Sequence, residues 1–126
     1  VRLLFDTNAL LWLVRGNSRL GPIARASIEN AQALVVSEIS LAEISIKVSI
    51  GKLAAEPGLL TLIQNAGIER VNIHDTYLRR LESLPLIHRD PFDRLLIAHA
   101  LSDGLTVVTS DPIFGRYGVS VIDASE

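Results

Sequence analysis

The 126-residue chain contains no cysteine and no methionine. The first absence excludes a disulfide framework and a thiolate-held metal, so any bound ion would be coordinated through oxygen or imidazole. The second leads us to expect an encoded start upstream of Val1. Although 48% of the residues are hydrophobic, no apolar run reaches the ~18 residues that a membrane span requires. The opening residues also lack the basic start and cleavage site of a secretory signal. The expectation is a soluble, cytoplasmic protein. A basic excess is missing too: 12 Lys and Arg against 14 Asp and Glu leave a formal net charge of −2. Global charge therefore does not mark a nucleic-acid binder, although a basic rim around an acidic pocket would vanish in that sum. Repeats, low-complexity tracts and linkers are absent, and the length suits one domain over residues 1–126, able to bury roughly two-thirds of its unfolded surface.

What is present is an alternation of strand and helix signals, which predicts an α/β fold with a parallel sheet. Val1-Arg2-Leu3-Leu4-Phe5 reads as a short strand that ends in Asp6-Thr7-Asn8. It passes into Ala9-Leu10-Leu11-Trp12-Leu13-Val14, apolar on all sides as in a largely buried helix. Pro22 opens a second helix to about Ala31, and Leu34-Val35-Val36 is a buried strand with Ser37 at its carboxyl end. Two periods then compete. Ile44, Ile46, Val48 and Ile50 alternate with polar residues as a strand would. Against this, Ser40 and Glu43 have the spacing of a capping box, Leu41, Ile44 and Val48 share a helical face, and Gly51 supplies a stop, so a helix is expected. Leu59, Leu60, Leu62 and Ile63 form the apolar face of a fourth helix. Ile68–Ile73 reads as a strand, and a fifth helix runs from about Asp75 to Leu84. Asp90-Pro91 caps and opens the sixth helix. Leu105–Val108 is a buried strand ending in Thr109-Ser110-Asp111, Pro112 begins a short turn or helix, and Val119–Ile122 completes about five strands.

In a doubly wound sheet, ligands gather beyond the carboxyl ends of the strands. Asp6 and Asp111 lie at such ends, and Glu43 and Asp93 lie near the beginnings of helices that follow them. Each acid also has a purely structural explanation. Asp6, Thr7 or Asn8 caps a helix, Glu43 closes a capping box on Ser40, Asp93 does likewise behind Asp90, and Asp111 caps the segment begun by Pro112. Helix amino ends stabilise carboxylates in any case. These explanations leave out one recurrence: an acid stands beside hydroxyl or amide residues at both strand ends, Asp6-Thr7-Asn8 and Thr109-Ser110-Asp111. Such groups hold a carboxylate cluster in place. Several carboxylates in one pocket cannot all ionise without a cation. An oxygen-only pocket suits Mg²⁺ or Mn²⁺, which activates water and neutralises charge on a phosphodiester.

Asp6-Thr7-Asn8, Ser40-Leu41-Ala42-Glu43-Ile44-Ser45-Ile46-Lys47, His88-Arg89-Asp90-Pro91-Phe92-Asp93-Arg94-Leu95-Leu96-Ile97-Ala98 and Thr109-Ser110-Asp111 together resemble the PIN-domain family, in particular its VapC-type toxin branch. Each motif alone is weakly specific, but the four occur in order across nearly the whole chain. The resemblance implies a three-layer sandwich whose central five-stranded parallel sheet, first strand in the middle, is flanked by helices. It implies a metal-dependent endoribonuclease with Asp6, Glu43, Asp93 and Asp111 as catalytic metal ligands and Mg²⁺ or Mn²⁺ as cofactor. It further implies the toxin of a toxin–antitoxin pair, a homodimer acting on structured RNA. A small antitoxin protein would inhibit it, with one segment in an apolar groove at Leu59–Ile63 or on the face of Ile44 and Val48, and a basic side chain in the acid cluster.

Around that set, Thr7, Asn8, Thr109 and Ser110 are expected to orient the carboxylates. Lys47, Arg89 and Arg94 are candidates for phosphate contact, with Arg116 and His88 at the same rim. Asp90 reads as a helix cap and Glu38 as an extra acid near the pocket. Ala42 replaces a residue that is often larger in this branch, and His99, where Gln or a small residue is expected, reads as a packed or surface histidine. A rival from another class is a catalytically weak binding module of the same fold for antitoxin or RNA, and the complete ligand set argues against it. Phosphoryl transfer through an aspartyl intermediate would want an acid two residues after Asp6, where Asn8 stands. A receiver-type phosphoacceptor would want an acid ending the middle strand, of which His74-Asp75 is a poor version, and a lysine after the last strand, where Asp123-Ala124 stands.

Overall fold

Leu3, Leu4 and Phe5 are completely buried although they are consecutive, which requires both faces of their strand to be covered. The computed structural model, which describes all residues Val1–Glu126, shows how. In chain order the elements are β1 (Arg2–Phe5), α1 (Thr7–Val14), α2 (Pro22–Glu29), β2 (Ala33–Ser37), α3 (Glu38–Ser49), α4 (Leu59–Asn65), β3 (Ile68–Val71), α5 (Asp75–Ser83), α6 (Pro91–Asp103), β4 (Thr106–Thr109), a 3₁₀ turn (Pro112–Tyr117) and β5 (Val121–Asp123). The strands form one sheet in the order β3-β2-β1-β4-β5, parallel throughout. Because side chains alternate along a strand, Leu3 and Phe5 join Val36 and Val108 under α1 and α4, with Leu10, Leu11 and Ile63. Leu4 joins Val35 and Val107 on the other face, under Leu96, Ile97 and Ala100 of α6. The result is the expected three-layer α/β sandwich with β1 in the middle.

The strand order reverses at β1, which pairs with β2 on one side and β4 on the other. The crevice beyond the carboxyl ends of these strands is where such a sheet binds ligands. The register places the site: Phe5 stands opposite Val108, so Asp6 emerges one residue beyond the sheet, beside Thr109.

Two expectations need correction. The segment after Ser37 is a helix, as read, but it starts at Glu38, and its cap is Ser37, whose Oγ accepts the Ile39 N–H at 3.1 Å. No capping box forms between Ser40 and Glu43, because both already lie inside the helix and both are buried. The strand-like alternation arose because Ile46 and Ile50 are apolar yet exposed. The second correction concerns α4, where Ile63 is buried but Leu60 and Leu62 are 50% and 39% exposed. Smaller shifts occur at ends: α2 stops at Glu29, β3 at Val71, and β5 begins at Val121. No helix is long and apolar enough to cross a membrane.

Candidate active site at the carboxyl edge of the sheet

Asp6 is both a helix cap and a member of the acid cluster, because its two oxygens face different ways. Its backbone is extended, with φ −73° and ψ 171°, and Oδ1 accepts the Ala9 N–H at 2.8 Å. Oδ2 accepts the Thr109 hydroxyl at 2.5 Å. Thr109 also orders the fourth acid, since its Oγ1 accepts the Asp111 N–H at 3.0 Å while Asp111 Oδ1 caps the 3₁₀ turn at Ile113 N. Glu43 is 5% exposed, as little as Asp6 at 7%. The Thr7 hydroxyl donates to Glu43 Oε1 at 2.6 Å, and Lys47, one turn further along α3, brings Nζ to 2.7 Å from Oε2. At the start of α6, Asp90 Oδ1 accepts the Asp93 N–H at 2.9 Å, as a cap should. Asp93 is left free to turn its Oδ2 to His88 Nε2 at 2.8 Å.

Electrostatics tie these acids into one group. Burial raises the Asp6 pKa above the ordinary carboxylate value; the Thr109 and Ala9 hydrogen bonds oppose it, and the charges of Glu43 and Asp111 add to it. Asp93 is pushed up to about 6, first by burial; its hydrogen bond to His88 opposes the shift, while the charges of Asp90 and Glu43 reinforce it. The Lys47 pKa is raised in turn, chiefly by its hydrogen bond to Glu43, with Asp90 and Asp93 contributing through their charge. Asp6 and Asp93 resist ionisation first because they are buried and then because of neighbouring negative charge, and a cation offsets both. The hard oxygen donors fit a divalent ion such as Mg²⁺ or Mn²⁺.

The structure thus brings Asp6, Glu43, Asp93 and Asp111 together, with Thr7 and Thr109 as the hydroxyl partners. Asn8 and Ser110 are not brought in. Both are exposed, and each follows a threonine whose side chain points inward, so the pleat or the helical turn directs the next one outward. Arg94 is turned into the loop before α6, where Nη1 donates to Pro85 O at 2.8 Å and to the Tyr117 hydroxyl at 3.2 Å. Arg89 and Arg116 are exposed. Glu38 is paired with Arg70 of β3 at 2.8 Å. His99 is fully buried and stacked on Tyr77, ring centroids 4.1 Å apart. Sequence reasoning placed His88 only at a basic rim. One of its ring nitrogens, one oxygen of Asp93 and one oxygen of Asp111 all lie within 4.8 Å of one another. The signal available was its place five residues before Asp93 in His88-Arg89-Asp90-Pro91-Phe92-Asp93.

Apart from this cluster, a groove of about 540 Å³ opens between α3 and α4, lined by Leu41, Ile44, Val48, Leu59 and Leu60 among others.

A parallel α/β sandwich with an acid cluster at its switch point is the class that fold and site define. The chain matches the family model described as PIN domain over residues 3–120, and it belongs to that family. No curated protein matches it significantly. Among solved structures it is similar to VapBC2 from Rickettsia felis bound to a promoter DNA fragment, with a TM-score of 0.74 at 17% identity, covering 97% of this chain and 98% of that one. It is also similar to DNA-bound VapBC from Salmonella typhimurium, with a TM-score of 0.72 at 20% identity and 98% of both chains covered. A toxin–antitoxin complex from Klebsiella pneumoniae follows at 0.68, again 20% identical and covering 98% of both chains. At these identities the likeness is one of fold.

Proposed function

We propose that this PIN-domain protein is the toxin of a toxin–antitoxin pair, a metal-dependent endoribonuclease that hydrolyses RNA phosphodiesters. The observation that carries the reading is the convergence of four carboxylates from α3, α6 and the turns that follow β1 and β4, two of them held by threonine hydroxyls that serve no helix cap. Asp6, Glu43, Asp93 and Asp111 would hold Mg²⁺ or Mn²⁺, and such an ion supplies an activated water and neutralises charge on the phosphate. The chain's own residues do the rest. Thr109 and Thr7 fix Asp6 Oδ2 and Glu43 Oε1 before substrate arrives, which removes a reorganisation cost from the reaction. In this reading Lys47 and Arg89 meet backbone phosphates, which positions RNA without reading its sequence, so cleavage weakens as salt rises. Arg94 acts at one remove, by holding the loop that carries His88.

The similar structures are of toxin–antitoxin complexes, which supports an antitoxin as partner. The groove between α3 and α4 is mostly apolar and lies on the segments expected to take an antitoxin segment. The same reading makes the protein a cytoplasmic homodimer.

The test is cleavage of structured RNA by the purified, antitoxin-free protein with Mg²⁺ or Mn²⁺, beside Asp6→Asn and Asp93→Asn. Wild type should cleave and both variants should not. Equal cleavage by all three would mean a contaminating nuclease and remove support for the site. No cleavage across diverse RNAs would favour a binding module.

A further inference from the structure

We infer that His88 is a nitrogen ligand of the divalent ion, so the centre has two unlike sides. Asp6 and Glu43 offer oxygen alone, whereas His88, Asp93 and Asp111 offer a mixed nitrogen and oxygen set. The inference rests on the metal-dependent reading above and adds a residue and an ion preference to it.

Three observations converge on His88. Its Nε2 is 2.8 Å from Asp93 Oδ2, close to the separation of about 3 Å between neighbouring donors on an octahedral ion of this size. An oxygen of Asp111 lies within 4.8 Å of both, so a third ligand completes one face. The backbone that carries the ring is also held in place by the elements that carry the two acids. The backbone N–H groups of Ile87 and His88 donate to the Tyr117 hydroxyl at 3.2 and 2.8 Å, and Tyr117 ends the 3₁₀ turn that Asp111 caps. Arg94, adjacent to Asp93 in α6, donates to that same hydroxyl at 3.2 Å and to the carbonyls of Pro85 and His88 at 2.8 and 3.4 Å. The loop from Pro85 to His88 is thereby clamped to the two elements that carry Asp93 and Asp111, as the supporting contacts around a metal ligand would be. A surface histidine merely paired with a carboxylate needs no such clamp.

Imidazole is a softer donor than carboxylate, and affinity at a nitrogen-containing site rises toward the transition metals. His88 therefore shifts the centre toward Mn²⁺ and away from Mg²⁺. The probe is Mn²⁺ alone, added to the full chain free of antitoxin and RNA. Pulsed electron paramagnetic resonance should show a ¹⁴N coupling to Mn²⁺ that is lost in His88→Gln. Calorimetric titration should show Mn²⁺ affinity falling about 10- to 100-fold in that variant, with Mg²⁺ affinity changing less than about threefold. Tyr117→Phe, which loosens the clamp and leaves every ligand in place, should weaken Mn²⁺ in the same direction by a smaller factor. Mn²⁺ bound by wild type without ¹⁴N coupling overturns the assignment, as does an equal loss of both ions in His88→Gln, which would make the ring a positioning group for Asp93. If the wild type cleaves RNA with Mn²⁺ yet shows no coupling, only the His88 assignment falls. If it binds no divalent ion, the metal-dependent reading falls with it.

Discussion

A histidine and an aspartate meet at each end of α6, and the two pairs behave differently. At the amino end His88 and Asp93 are half-buried, 2.8 Å apart, with Glu43, Asp90 and Asp111 as further negative neighbours. At the carboxyl end His99 Nε2 lies 3.3 Å from Asp103 Oδ2, the ring fully buried against Tyr77 and the tyrosine hydroxyl donating to the same carboxylate. Burial acts on the acid in the first pair, pushing Asp93 up to about 6. In the second it acts on the base, lowering the His99 pKa against the charge of Asp103. There a single carboxylate takes the tyrosine hydroxyl and lies against one imidazole, with no second acid acting on that ring. Several carboxylates sharing one histidine and one lysine leave negative charge that an external cation can answer. The residue types are alike at both ends, so the number of like charges is what sets the two pairs apart.

The contrast can be broken most directly at Asp6. Asp6→Asn keeps a good helix cap but removes a charge from the cluster, so RNA cleavage should fall roughly 100- to 1000-fold, the scale of several kcal/mol of lost charge stabilisation. Thermal unfolding of the metal-free variant should show a Tm no lower than wild type. A lower Tm with cleavage retained would make Asp6 a structural cap only. At the other end His99→Ala should do the reverse: about 2–4 kcal/mol of stability lost in urea titration, from the vacated aromatic packing, with cleavage per folded molecule unchanged.

The pH response sharpens the contrast further. The folded Asp93 pKa, about 6, lies above its ordinary value of 3.8, so the native state binds more protons than the unfolded state between those values. Stability of the metal-free protein should therefore fall as pH rises through that window. In Tm-against-pH scans Asp93→Asn should reduce this decline without abolishing it, because the Asp6 pKa is raised as well, and saturating Mn²⁺ should flatten it. A decline of equal size in Asp93→Asn would assign it to another group. The smallest effects belong to the hydroxyl and amide neighbours. Thr7→Val should lower Mn²⁺ affinity or cleavage by about 10-fold or more because it takes a partner from Glu43. Asn8→Ala and Ser110→Ala should change either by less than about twofold, as exposed substitutions do.

Much of this was readable from local pattern. Asp6 and Asp111 terminate apolar strands, Glu43 and Asp93 sit early in helices, and those local facts put all four at one edge of any parallel sheet. The start of α3 differs by three residues from the sequence expectation because a serine at 37 or at 40 can cap a helix, and only the folded backbone, in which Ser37 Oγ accepts the Ile39 N–H and Ser40 lies inside the helix, separates them. Asn8 and Ser110 could not be told from Thr7 and Thr109, since all four are small polar residues at strand ends. The outward half of the α4 apolar face was invisible for a similar reason: periodicity shows which residues share a face, not how much of that face another element covers.

By itself the sequence determined the alternation of strand and helix, the parallel sheet that follows from it, and the edge at which the acids gather, because hydrophobic period and capping act over a few residues. The tertiary structure alone decided which group meets which acid. Thr7 reaches Glu43 across 36 residues and Thr109 reaches Asp6 across 103, and Arg94 and Tyr117 hold His88 beside Asp93 from two separate elements. The Thr109 contact depends on β4 returning to lie beside β1 in register. Strand order is set by packing the whole sheet between two helical layers, a condition that no short stretch of chain contains.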